Sequence, residues 1–200
     1  AERKNGEEVD CEYTRDESGA IVSKTVRDAK SKTLYDANGA IVQTIILPTV
    51  EEPVATVSEY EYGRIRTVRK GGVLTCTYAY EFDDDGKEIT VVTEVGSGTV
   101  KRYRDELLLS TAETNGLITS YAYDSQNRIS SSTVTRSGQI IGVYQYAYQG
   151  ENTVITDIDG VKRTYNTGNK LCAMEKDGVT YAYTYTMDAN GAETVTQTLV

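Results

Sequence analysis

The chain has 200 residues, with 16 Tyr against one Phe, no Trp, no His, 17 Gly, 2 Pro, and 30 acidic against 21 basic side chains, for a net charge of −9. Without histidine, Ser-His-Asp and Cys-His nucleophile systems, imidazole metal ligands and a neutral-pH imidazole base are excluded. The acidic balance, with no Lys/Arg run longer than two, disfavours nucleic-acid backbones and anionic membrane surfaces as partners.

Ile, Leu, Val and Phe together supply 42 of the 200 residues, close to the roughly 20% below which charged chains stay disordered. A thick aliphatic core is therefore not expected, and folding has to lean on tyrosine and β-branched residues, which favour pleated, half-buried surfaces. The longest apolar run, Ile45-Ile46-Leu47, is far too short to span a membrane, and nothing at the N-terminus resembles a signal peptide. A start at Ala1 without Met suggests a processed product or a cut fragment. Cys11, Cys76 and Cys172 are too scattered for a disulfide framework or a zinc site and read as small hydrophobes.

In chain order the signals are turns with strands between them. Arg15-Asp16-Glu17-Ser18-Gly19 and Tyr35-Asp36-Ala37-Asn38-Gly39 open a pattern x-Asp-x-x-(Gly/Asn). In it the Asp side chain accepts a hydrogen bond from a backbone N–H two residues on, and Gly takes the left-handed position. Two prolines, Pro48 and Pro53, deny ladder donors, so 48–53 is expected to be a loop or kink, or the seam of two subassemblies. It would separate two hairpin repeats over 1–47 from about seven more over 54–200, all in one continuous repeat domain. Beyond it Leu74, Cys76, Tyr78, Tyr80 and Phe82 alternate on one face and run into a third copy, Phe82-Asp83-Asp84-Asp85-Gly86. Tyr103 to Thr114, with Leu107-Leu108-Leu109, is the only stretch that tempts a helical reading. It falls in register with the hairpin period and is read as strand.

Leu117, Thr119, Tyr121 and Tyr123 alternate into the fourth copy, Tyr123-Asp124-Ser125-Gln126-Asn127, and Ile140, Tyr144, Tyr146 and Tyr148 repeat the alternation. From Val179 to Met187 every odd position is large and every even one small, ending in the fifth copy, Met187-Asp188-Ala189-Asn190-Gly191. This is the period of a strand with one packed face. The five aspartates lie near multiples of about 21 residues, and degraded copies fill the gaps at Tyr62-Gly63-Arg64, Tyr103-Arg104-Asp105-Glu106, Tyr148 to Asn152 and Tyr165 to Asn169, making nine units. Between them Gly71-Gly72, Gly96-Ser97-Gly98, Asn115-Gly116, Ser137-Gly138, Asp159-Gly160 and Asp177-Gly178 predict two-residue I′ or related turns, so that two kinds of reversal alternate.

At Ser120-Tyr121-Ala122-Tyr123-Asp124-Ser125-Gln126-Asn127-Arg128-Ile129 the chain resembles the tyrosine-aspartate (YD) or Rhs repeat, whose motif runs roughly Tyr-x-Tyr-Asp-x-x-Gly-Arg-Leu. Tyr35-Asp36-Ala37-Asn38-Gly39 is a second close match. Tyr35, Asp36, Gly39, Phe82, Asp83, Gly86, Tyr121, Tyr123, Asp124, Asn127, Asp188 and Gly191 are the structural residues of the motif. The resemblance implies an all-β fold of consecutive antiparallel hairpins forming an extended, curling sheet, a strip or partial shell. In larger relatives, such as toxin-complex components, polymorphic toxins, wall-associated proteins and teneurins, the sheet closes into a shell around a toxic domain or serves as a surface scaffold.

The expected function is therefore non-catalytic: a scaffold or shell segment of a bacterial secreted or cell-surface protein, with no cofactor. Its partners would be neighbouring repeats of a longer chain, a glycan or protein, or an encapsulated toxic domain, and exposed terminal strands predict end-to-end self-association. The alternative is an adhesion module that binds carbohydrate or protein through a tyrosine-rich face, with Tyr144, Tyr146, Tyr148, Tyr181, Tyr183 and Tyr185 as the candidate surface. Asp83-Asp84-Asp85 could cradle a hard cation, but it lacks the bidentate partner of an EF-hand loop and its repeat equivalents are plain turns. Paired carboxylates for glycoside hydrolysis are nowhere placed by the pattern. Arg102 and Arg104 beside Tyr103, or Lys162 and Arg163 before Tyr165, could flank a sugar or an anion; charge that protects an edge strand explains them more simply.

Overall fold

The computed structural model describes residues 2–4 and 7–200, with side chains from Val9 onward. Among these residues there are strands and turns and no helix. The chain falls into two compact units, one running to Arg104 and one from Asp105.

The first unit holds β1 (Glu2–Lys4), β2 (Glu7–Arg15), β3 (Ile21–Arg27), β4 (Ser31–Asp36), β5 (Ile41–Ile46), β6 (Thr56–Glu61), β7 (Arg64–Lys70), β8 (Val73–Phe82), β9 (Glu88–Glu94) and β10 (Val100–Arg104). Each pairs antiparallel with the next in sequence, an unbroken meander. Residues 47–55, which carry both prolines, form no strand. The second unit continues with β11 (Leu107–Ala112), β12 (Leu117–Tyr123), β13 (Ile129–Arg136), β14 (Gln139–Gln149), β15 (Asn152–Thr156), β16 (Lys162–Tyr165), β17 (Leu171–Lys176), β18 (Val179–Met187) and β19 (Glu193–Leu199), again paired in order. The leucine run at 107–109 is strand β11.

Seven reversals share one mechanism. At Asp16, Asp36, Asp83, Asp124, Asp157, Asn166 and Asp188 the side-chain Oδ1 accepts the backbone N–H two and four residues on. The residue three on, Gly in five copies and Asn127 or Asn169 in the others, has positive φ and donates its N–H to the carbonyl of the first residue. In several copies the strand pair then skips one residue, a bulge that absorbs the odd turn length; Tyr123 faces Ile129 and Tyr165 faces Leu171 in this way.

The remaining turns correct parts of the sequence reading. Asp159-Gly160 is the inner half of the Asp157 turn, and Asn115-Gly116 belongs to a five-residue turn begun by Glu113, so neither is a two-residue reversal. Conversely Tyr62-Gly63 has positive φ at both residues, as do Asp105-Glu106, Gly71-Gly72, Ser137-Gly138 and Asp177-Gly178, which is the type I′ signature. Of the four degraded units only Tyr165 to Asn169 keeps the Asx geometry. The two kinds of reversal do not strictly alternate, since Tyr62-Gly63 and Gly71-Gly72 follow one another, as do the Asp157 and Asn166 turns.

Packing is thin. Among the described residues, Val9 and Ile89 in the first unit and Val154 and Val161 in the second are the buried apolar residues, and no side chain is fully buried. The accessible surface is 13642 Å², whereas even two separate globules of half this mass would expose only about 11,200 Å² together. Each strand therefore gains most from its two lateral neighbours: cross-strand side-chain pairs at about 0.2–1 kcal/mol apiece, and the ladder itself.

Candidate functional site

Fourteen of the sixteen tyrosines are half-buried; Tyr13 and Tyr62 are exposed. The half-buried ones divide by what their hydroxyls do. Tyr80, Tyr123, Tyr148 and Tyr185 donate to the backbone carbonyls of Ile65, Leu108, Ile129 and Leu171 at 3.0, 2.8, 2.9 and 3.0 Å. Every acceptor sits two residues past the positive-φ residue of the preceding turn: Gly63, Glu106, Asn127 and Asn169. In three of the four, the intervening residue is a cation over the same ring, with Arg64 5.0 Å from the Tyr80 centroid, Arg128 4.2 Å from Tyr148 and Lys170 4.8 Å from Tyr185.

The motif at 123–129 now has a role for each defining side chain. Tyr123 bonds back to β11, Asp124 closes its own turn, Asn127 takes φ 59°, and Arg128 is held by Asp124 at 2.8 Å over the Tyr148 ring while Ile129 offers its carbonyl to that ring's hydroxyl. The backbone N–H of Arg128, followed by its guanidinium, holds the Asp124 carboxyl below the usual carboxylate range. Asp83 is placed alike: the Lys87 N–H lowers it first and Arg104 at 2.8 Å second. Oδ1 of Asp83 accepts the two turn N–H groups and Oδ2 the Arg104 guanidinium, and the described residues contain no cluster of three or more potential metal ligands.

A second set of hydroxyls is unspent. Tyr121, Tyr144 and Tyr165 make no hydrogen bond to protein among the described residues, and together with Tyr146 they border a shallow groove of about 390 Å³ in the second unit. The register explains its relief. Tyr121 on β12 faces Ser132 on β13, which faces Tyr144 on β14; Tyr146 faces Ile155 on β15, which faces Arg163 on β16. Large side chains thus stand on β12, β14 and β16, and smaller ones floor the strands between. Ser132 is only 3% exposed, and its hydroxyl lies 3.3 Å from that of Tyr146. A Cβ added at Gly142 would lie 3.2 Å from the Tyr144 ring, so that ring leans back along its own strand over the glycine. Arg163 is fixed by Asp157 at 2.7 Å, which lowers the carboxyl and raises the guanidinium.

Of the six tyrosines singled out from the sequence, the structure brings Tyr144 and Tyr146 into this groove. Tyr148 continues their row as a staple. Tyr181 is four strand spacings, about 19 Å, along the row of Tyr146, on β18 with Tyr183 and Tyr185. Arg163 and Tyr165, which the sequence offers as flanking a sugar or an anion but explains more simply as edge-strand charge, do line the groove, on a strand paired on both sides; Tyr121 and Ser132 lie outside the sequence-predicted surface, because their signal is a cross-strand register that a linear pattern does not carry. The motif residues Tyr35, Asp36, Gly39, Gly86, Asp188 and Gly191 sit at turns, and Phe82 ends β8 at 64% exposure.

No protein-family model matches the sequence, and no curated protein matches it. Among solved structures it is similar to TcdB2-TccC3-Cdc42 at 13% identity, with 96% of this chain and 14% of that chain covered and a TM-score of 0.39. A porin-like protein from Bacteroides uniformis aligns at 13% identity over 89% of this chain and 90% of its own, TM-score 0.33, and a Photorhabdus luminescens Tc holotoxin pore at 12% over 94% and 16%, TM-score 0.20. Tc toxin components are thus among its structural neighbours, and the chain spans about a seventh of the length of the first of them. No helix among the described residues is long and apolar enough to cross a membrane.

Proposed function

We propose that this chain is a non-catalytic repeat module, a scaffold or shell segment of a bacterial secreted or cell-surface YD/Rhs-repeat protein of toxin-associated type. The observation that carries the reading is the tyrosine staple. A hydroxyl-to-carbonyl bond, in three of four cases with a cation on the ring, ties a strand to the start of the strand before it, just past the turn that opens that strand, which spends the motif's side chains on continuity of the sheet. A double-mutant cycle on Arg128→Ala and Tyr148→Ala tests it: the two changes are expected to destabilise the second unit non-additively. Strict additivity, or hydrolytic turnover by the wild-type chain that one carboxylate substitution abolishes, would replace the scaffold reading.

A second reading, a carbohydrate- or protein-binding adhesion surface, is favoured by the groove at Tyr121, Tyr144 and Tyr165, where hydroxyls and ring faces remain unspent. Retention on a glycan or protein surface that is lost in Tyr144→Ala while the far-ultraviolet spectrum is unchanged would support it. Retention that survives the substitution would remove it.

A further inference from the structure

We infer that the cleft beside the Tyr62-Gly63 hairpin of the first unit is a binding site for a neutral pyranose ring of an oligosaccharide, a site separate from the groove of the second unit. Glu61 faces Arg64 across the ladder, so Tyr62 and Gly63 are the two central residues of the turn between β6 and β7, and both have positive φ. Asn or Gly meets that demand of a type I′ turn most readily. A tyrosine at φ 50° is held instead in a conformation that a bulky L side chain resists. Packing does not offset the strain: Tyr62 is 95% exposed, and its hydroxyl has no protein partner among the described residues. Strained residues that the fold itself does not use cluster at sites that meet a ligand.

The surroundings of the ring define that ligand. Glu61, Tyr62, Arg64, Arg66 and Tyr80 border a cleft of about 460 Å³, within the roughly 300–1,000 Å³ of small-molecule sites. Its polar groups are held in place. Arg66 donates Nε–H to Oε2 of Glu61 at 2.8 Å, Arg64 pairs with Glu88 and lies 5.0 Å from the Tyr80 ring centroid, and the Tyr80 hydroxyl is fixed on the Ile65 carbonyl at 3.0 Å. Each guanidinium faces a carboxylate, so a charged ligand finds no unmatched partner. Arg64 covers the Tyr80 ring, which leaves Tyr62 as the open aromatic face. The ligand that fits is uncharged, apolar on one face, and able to donate and accept at adjacent positions along its edge. A pyranose meets all three conditions: its face of C–H groups suits the electron-rich face of a phenol. Its vicinal hydroxyls, each both donor and acceptor, match the guanidinium nitrogens and the carboxylate of the Arg66–Glu61 pair.

Calorimetric titration of the whole chain with three neutral hexasaccharides, of β-linked glucose, mannose and N-acetylglucosamine, tests the site. Saturable binding of at least one of them is expected. Tyr62→Asn, which suits the turn and removes the ring, is expected to leave the melting temperature no lower and to weaken binding at least about tenfold. Tyr62→Phe keeps the ring and most of the affinity, whereas Arg66→Ala loses affinity severalfold. The inference is overturned if none of the three binds, if binding is undiminished in Tyr62→Asn, or if that variant melts lower, which would mark the ring as structural. Binding confined to an oligogalacturonate or to adenosine overturns it as well, in favour of an anion or a base. Binding that Tyr144→Ala abolishes and Tyr62→Asn spares also overturns it and moves the saccharide to the groove of the second unit, whose binding reading then stands.

Discussion

A phenol in a sheet can fill space, give its proton to a carbonyl, or hold it in reserve, and this chain separates the last two uses by position. Tyr148 and Tyr144 lie four residues apart on one strand face, yet only Tyr148 bonds to a backbone carbonyl, that of Ile129. Tyr148→Phe is therefore expected to cost about 0.5–1.5 kcal/mol in urea unfolding, and Tyr144→Phe close to nothing; the reverse ranking would contradict the assignment. The same selectivity governs glycine. Gly178 has φ 79° in a type I′ turn, and a Cβ there would meet no atom within 4 Å, so any penalty for Gly178→Ala is conformational. About 1 kcal/mol is expected, seen as a lower melting temperature with unchanged sheet content by circular dichroism.

At the scale of an element, the Asx turn is both the fold's commonest device and its acid-labile point. Asp16 is lowered chiefly by the Ser18 hydroxyl, Asp83 and Asp124 by backbone N–H groups, and Asp157 by Arg163. A carboxylate whose folded value lies below its unfolded one stabilises fully above the unfolded value and loses that contribution as pH falls through the folded value. Thermal stability is thus expected to change little between about pH 7 and 5 and to drop below about pH 4, where unfolded carboxylates take up protons. Asn166 closes the same turn with an amide, so Asp157→Asn should keep the turn, lose the Arg163 pair and flatten part of that acid slope in a pH series of melts. Most of this level was readable in the sequence, because an Asx turn is local: the acceptor and its donors lie within five residues. The errors arose where a dipeptide was read without what precedes it, as at Asp159-Gly160, whose organising residue is Asp157. The staples are not legible in the sequence because donor and acceptor stand 14 to 19 residues apart, nor is the groove, because Tyr121, Ser132 and Tyr144 meet only through register.

Within each unit the governing fact is that the described strands contact their sequence neighbours and almost nothing else. Such an array has stability that is approximately a sum of local and nearest-neighbour contributions. A broad urea transition is expected, with an m-value below that of a globular domain of this length, because less surface is buried to begin with. Hydrogen exchange should be fastest in β19, exposed along its whole length and paired only with β18 among the described strands; uniform protection from β12 to β19 would contradict the nearest-neighbour picture. The staples also have a direction. In all four, the acceptor carbonyl precedes its tyrosine in the chain, so during synthesis each ring emerges from the ribosome after the turn that receives it is already made. Growth from the N-terminus can then fasten one hairpin at a time onto a finished edge, and these four fastenings never wait for residues yet to be translated.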